Sequence, residues 1–189
     1  MTAEAHYLDA LEALEADERE EALQHARKAV KLDPEHADAW RIISDASLPG
    51  LRKQPTLKQA ASSLSAAKKV VALQPDDLAM WVRGGRILSD ELGLYIDALQ
   101  WWQDARHQAP EEVTPIVEQA AILADMGLYA EASERLQSIF DENMDLATTQ
   151  YARVARLHQM CQLASEQPLL NISNRGRSIM MVGKQSNCE

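Results

Sequence analysis

The sequence predicts an all-α chain built as a stack of helical hairpins, and three observations carry that prediction. Good helix formers (Ala, Leu, Glu, Gln) dominate while Gly and Pro number only 7 each, and β-branched residues occur singly with no alternating run a strand would need. The segment Gly93-Leu94-Tyr95-Ile96-Asp97-Ala98 recurs as Gly127-Leu128-Tyr129-Ala130-Glu131-Ala132, an offset of 34 residues. Self-similarity at such a period marks an array of small units, each too small to bury its apolar face alone. Finally, Pro34, Pro75 and Pro110 each close a helical stretch, and acidic pairs Asp76-Asp77 and Glu111-Glu112 follow two of them. Proline lacks an N–H and has a fixed φ, so it ends one helix and sits easily at the start of the next.

Taken in order, four units and a cap emerge. The first, about residues 3–36, reads Tyr7-x2-Ala10-Leu11-x2-Leu14, then Ala22, Ala26, Ala29 and Pro34, with one residue missing from its turn. The second, 37–77, opens on Trp40, Ile43, Ser44 and Ser47 at one helical face, runs through a turn seven residues too long, and closes on Ala67, Val70 and Pro75. The third, 78–112, reads Trp81-x2-Gly84-Gly85-x2-Leu88, then Gly93, Tyr95, Ala98, Trp102, Ala105 and Pro110. The fourth, 113–144, carries Ile116, Ala120, Leu123, Gly127, Tyr129, Ala132, Leu136 and Ile139 without a closing Pro. Residues 145–165 read as a capping helix, or as helix A of an incomplete fifth unit, and 166–189 as a flexible tail.

This distribution of Trp, small residue, aromatic, Ala and Pro resembles the tetratricopeptide-repeat family over roughly residues 3–164. The resemblance implies a right-handed α-solenoid that binds a protein or peptide in its concave face and does no chemistry of its own. It further implies that the inner wall is lined by helix-A side chains, which fall on Arg41 and Asp45 in unit two, Val82, Arg83, Arg86 and Asp90 in unit three, and Val117 and Glu118 in unit four. Arg41, Arg83 and Arg86 would form a cationic cluster suited to an acidic peptide or C-terminus, since a guanidinium fork matches a carboxylate. The family's chaperone-tail clamp is not reproduced: unit one offers Leu8 and Glu12 at the matching places. The competing expectation is a structural subunit packed permanently in a larger complex or homo-oligomer.

Charge narrows the partners. The net charge is −10, yet residues 39–75 carry +5 between segments of −7 (1–38) and −8 (76–189). An acidic whole disfavours nucleic acid and anionic lipid even with one basic segment. The N-terminus has neither the basic nor the apolar region of a secretory signal, no apolar run approaches membrane-spanning length, and the two cysteines, Cys161 and Cys188, make no disulfide framework. The expectation is a reduced, soluble, cytoplasmic protein.

Other constellations are weak. His158 and Cys161 share a helix face, as do Glu21 and His25, but neither has the second ligand pair a metal site needs. Gly84-Gly85 sits mid-helix and reads as close packing rather than a phosphate loop. Asn171-Ile172-Ser173 matches a glycosylation acceptor, which means little without a secretory signal. No catalytic residue, metal or cofactor is expected. Trp40, Trp81 and Trp102 read as core, whereas Trp101, rotated about 100° from Trp102, either packs on the next hairpin or is partly exposed. The long turn from Leu48 to Thr56, with Arg52 and Lys53, reads as exposed and as a secondary contact.

Overall fold

The computed structural model describes residues 2–50, 53–142, 144 and 148–166. The tail beyond 166, with Asn171-Ile172-Ser173 and Cys188, lies outside the described residues, as does Arg52. Among the described residues the fold is all-α, with no strand. The helices are α1 (Ala3–Glu15), α2 (Arg19–Leu32), α3 (Ala37–Ser47), α4 (Leu57–Leu73), α5 (Leu78–Arg86), α6 (Tyr95–Gln108), α7 (Thr114–Asp125), α8 (Tyr129–Asp141) and α9 (Thr148–Glu166), with a π-helical turn, Ile87–Glu91, continuing α5.

Each helix packs on its neighbours in sequence, α1 also reaches α3, and α7 reaches α9. The apolar interior is correspondingly a row of local cores rather than one centre. One gathers Ala10, Ala26, Ile42 and Ile43 from α1–α3; a second gathers Leu64, Val70, Trp81, Leu88 and Trp102; a third gathers Ile116, Leu136, Ile139, Val154 and Cys161. Stability in such a stack is close to a sum of nearest-neighbour terms.

The repeated residues do repeated jobs. The Trp40 indole N–H donates to the Pro34 carbonyl (2.8 Å), and Trp81 donates to the Pro75 carbonyl (2.8 Å). Each tryptophan thus ties its helix to the turn that precedes it, satisfying the carbonyl of a proline-broken chain while burying most of an indole. Gly93 and Gly127 have φ of 65° and 82°, and a Cβ at either would meet nothing within 4 Å. Glycine is therefore required there by backbone conformation, not by space. In the first hairpin Asp17 takes the equivalent left-handed place with φ 58°, a conformation an aspartate tolerates better than most residues.

Hairpin three packs its indoles directly on glycine. A Cβ built on Gly84 would fall inside the ring of Trp101, and one on Gly85 inside the ring of Trp102. Trp101 is buried, not exposed, and packs within its own hairpin: its ring lies on Gly84, its centroid is 4.7 Å from that of Trp81, and its N–H donates to the Trp81 carbonyl (2.7 Å). Two adjacent indoles can both be buried because two adjacent glycines receive them.

In hairpin two the serine at 63, where alanine is usual for the pattern, has a partner. Ser44 donates to the Ser63 carbonyl (3.1 Å), Ser63 donates to the Ser44 carbonyl (2.8 Å), and the hydroxyl oxygens are 3.0 Å apart, all fully buried. Reciprocal bonding satisfies both hydroxyls and holds α3 against α4.

At the far end, Cys161 on α9 is fully buried and His158 lies beside Phe140, ring centroids 5.9 Å apart. The pair belongs to the packing of α9 on α8. Burial pushes the Cys161 thiol up, which lowers its thiolate fraction at neutral pH.

Two outcomes follow. Gly85→Leu should lower stability by roughly 1–3 kcal/mol or more through overpacking, whereas Gly50→Ala, at a position with open space, should melt like wild type. Thermal denaturation separates them. In a Cys188→Ser chain, Cys161 should resist a thiol reagent at neutral pH until the protein unfolds; rapid labelling of the native chain would contradict the packing of α9.

Candidate functional site

The residues expected on the inner wall of hairpins two and three lie on α3, α5 and the π turn, and the sequence places those elements by identifiable means. The C-terminus of α3 is capped from outside: the Arg19 guanidinium donates to the carbonyls of Asp45 (3.1 Å) and Leu48 (3.0 Å). At the other end of the long turn, Thr56 and Gln59 form a capping box that starts α4. The segment 48–56 is thus pinned at both ends and contributes Leu48, Pro49, Lys53 and Pro55 to a cavity wall.

The π turn has a simple origin. From Leu123 to Gly127 is four residues, but from Leu88 to Gly93 is five. In hairpins one and four the amide after the left-handed residue donates five residues back, Glu18 to Ala13 (2.8 Å) and Leu128 to Leu123 (2.9 Å); in hairpin three it donates six back, Leu94 to Leu88 (2.7 Å). One extra residue is absorbed by widening the last turn of the helix, and the Ser89 hydroxyl donates to the Gly85 carbonyl there (3.1 Å). The widened turn puts Ile87, Asp90 and Glu91 on the cavity.

The cavity has a volume of about 480 Å³ and is open to solvent between α3, α5 and the long turn. Asp45, Val82, Arg83, Arg86 and Asp90 all line it. Arg83 is ion-paired with Asp45, and its pKa is held down by burial first and by the neighbouring Arg41 second. It stays charged nonetheless, as a guanidinium does at any physiological pH. Arg86 is exposed and makes no ion pair among the described residues. The wall is of mixed sign, with Lys53, Arg83 and Arg86 against Asp45, Asp90 and Glu91, over an apolar floor that includes Val82 and Ile87.

The other expected residues are placed differently. Arg41 does not line the cavity; it contacts Asp77 (2.6 Å) and donates to the Gln74 side chain (2.9 Å), with Asp38 at 3.6 Å. Asp77 has only 8% of its side chain exposed and also caps α5 by accepting from the Met80 amide (3.1 Å). The Arg41–Asp77 contact is an ion pair by distance, without hydrogen-bond alignment at Asp77 Oδ2. Val117 is buried at 4% exposure in the core of hairpin four and offers no contact surface. Glu118 is mostly covered and paired with Arg153 of α9 (3.0 Å), because α9 reaches over α7 at this end. Sequence reasoning did not find Asp77 or Glu91; the extra residue between Leu88 and Gly93 was the signal for the second.

With this geometry in view, the fold can be named: the chain has the tetratricopeptide-repeat fold. No protein-family model matches the sequence, and no curated protein matches it. Solved structures do. TTC0263, a thermophilic TPR protein of Thermus thermophilus, is 16% identical with a TM-score of 0.54, over 86% of this chain and 82% of that one. A MamA chain from Desulfovibrio magneticus RS-1 is 14% identical with a TM-score of 0.55, over 87% and 96%. Another MamA structure is 12% identical with a TM-score of 0.56, over 90% and 96%. At these identities the likeness is one of fold.

Arg41→Ala should destabilise by about 1–3 kcal/mol, since it leaves the Asp77 carboxylate covered and unpaired, while Arg86→Ala should stay within about 0.5 kcal/mol of wild type. Chemical denaturation of the two variants tests the division between a structural and a free arginine.

Proposed function

We propose that this protein is an interaction scaffold that holds a segment of another polypeptide in the cavity between α3, α5 and the long turn, with a carboxylate of the guest taken by Arg86 and Arg83. The observation that carries the reading is Arg86, exposed and without an ion pair among the described residues, beside a half-buried Arg83 on the same wall of a 480 Å³ cavity. A cavity of that size takes a few side chains, and charge-assisted bonding to a planar fork selects an acid. The apolar floor favours an acidic residue next to an apolar one.

Asp45 is the internal competitor: it occupies Arg83 in the free protein and must yield, or share, when a guest carboxylate arrives. That gives the reading two mutations of opposite sign. On a panel of fluorescent peptides with acidic, neutral and basic ends, wild type should prefer the acidic members, with an affinity that falls as salt rises. Arg86→Glu should abolish the preference, and Asp45→Asn should strengthen it by freeing Arg83. Binding that ignores peptide charge, or that survives Arg86→Glu, would overturn the proposal.

A further inference from the structure

Outside the cavity, the hairpin of α1 and α2 brings together three side chains that the packing of the stack does not explain. His6 and Asp9 lie three residues apart on one face of α1, and His25 comes to meet them from α2. One ligand atom from each, two imidazole nitrogens and a carboxylate oxygen, lies within 4.8 Å of the others, and all three residues are half-buried. His25 Nδ1 is 3.1 Å from Asp9 Oδ2. Yet that contact lacks hydrogen-bond alignment: His25 Nδ1 and His6 Nδ1 are both buried atoms without a hydrogen-bond partner. The two rings meet edge to face, centroids 5.6 Å apart and planes at 61°, so neither is stacked flat on the other.

Leaving two buried imidazole nitrogens without partners is unfavourable for a purely structural cluster. Two imidazole nitrogens and a carboxylate oxygen gathered within 4.8 Å of one another are the donor types of a ligand set. We propose that His6, Asp9 and His25 form a binding site for a divalent transition-metal ion, with zinc the best match. Imidazole together with carboxylate suits zinc, whose bonds to nitrogen and oxygen are about 2.0–2.2 Å and whose tetrahedral ligands lie a little over 3 Å apart. The His25–Asp9 separation already fits that edge, and a His6 nitrogen lies within 4.8 Å of both. Three protein ligands leave a fourth position of a tetrahedral ion open, and the Asp9 side chain is 41% exposed, so solvent reaches the cluster. Water fills it, or a donor from a partner. The surroundings favour a cation, since residues 1–38 carry a net charge of −7.

The site would also have a structural consequence. Among the described residues the first hairpin packs on hairpin two alone, so a metal joining α1 to α2 would add a tie within that unit.

The test uses the full-length chain, stripped of metal and titrated with zinc chloride. One zinc should bind per chain by calorimetry, raise the melting temperature, and be released by a chelator. His6→Gln and His25→Gln should each weaken binding by at least tenfold and remove the thermal shift, whereas His107→Gln, on distant α6, should leave both unchanged. Cobalt substitution gives a reading that needs no variant. Visible d–d absorption without a thiolate-to-metal band supports a His–Asp–His site, and a thiolate band would move the site to a cysteine and overturn the proposal. Absence of a zinc-dependent shift in wild type, or zinc binding that persists in the double histidine variant, would overturn it equally.

Discussion

The crossing of α5 on α6 is the constraint from which the middle of the molecule follows. Two glycines receive two indoles there, at a separation that admits no Cβ. Because Trp101 and Trp102 are adjacent, their rings leave α6 about 100° apart, and α5 is gripped along both Gly84 and Gly85. The helix is fixed in rotation as well as in distance. Rotation is what decides whether Arg83 and Arg86 face the cavity or the core, so the packing of the glycines and indoles sets the direction of the cavity's arginines. The same contact anchors the next turn: Trp101 holds the Trp81 carbonyl, and Trp81 in turn holds the carbonyl of Pro75, just before Asp77 caps α5.

That chain of dependence also explains which parts of the structure could be read from residues alone. The fold was legible because its signals are local and recur. Gly93 and Gly127 mark positive φ, Trp40 and Trp81 mark the bond back to a proline carbonyl, and Gly85 marks a close crossing; each is a demand made by backbone geometry on one residue type. The candidate site was legible in part. The family resemblance implies that Asp45, Val82, Arg83, Arg86 and Asp90 share one wall, and these line the cavity. Period says nothing of which charge pairs with which. Arg41 stands at an equivalent helix position and yet is engaged by Asp77, across an inter-repeat turn. Likewise Val117 and Glu118 follow the register and are then covered, because α9 folds over that end of the stack. Pairing and end effects are tertiary facts, and a one-dimensional pattern does not contain them.

Departures from the pattern turn out to carry as much structure as agreement with it. The serine at 63 exists with Ser44 as its counterpart, so the two substitutions are one solution to a buried polar pair. The extra residue of hairpin three widens a turn into a π helix, and the long turn of hairpin two supplies a wall; both open onto the same cavity. Irregularities in a repeat cost regular hydrogen bonding, so their clustering at one place on the surface is informative in a way that any one of them would not be.

The architecture also decides how far the effect of binding at one place can travel. In a stack whose units touch only their neighbours, an interaction stabilises its own unit and the interface on either side, and little beyond. The cavity between α3 and α5 sits on such an interface, so a guest there ties hairpin two to hairpin three and adds to the contacts α4 already makes with α5. The His6, Asp9 and His25 cluster sits inside hairpin one, which reaches the cavity through Arg19, the cap on the end of α3, and through the packing of α1 and α2 on α3. Arg19 is therefore a physical route by which order in the first hairpin could stiffen the cavity's edge: losing it would free two carbonyls at the end of α3 and loosen the point where Asp45 faces Arg83. Coupling between the two places is limited to what those two hydrogen bonds and the packing of α1 and α2 on α3 can transmit, which is a local matter of helix-end order rather than a change of shape in the stack.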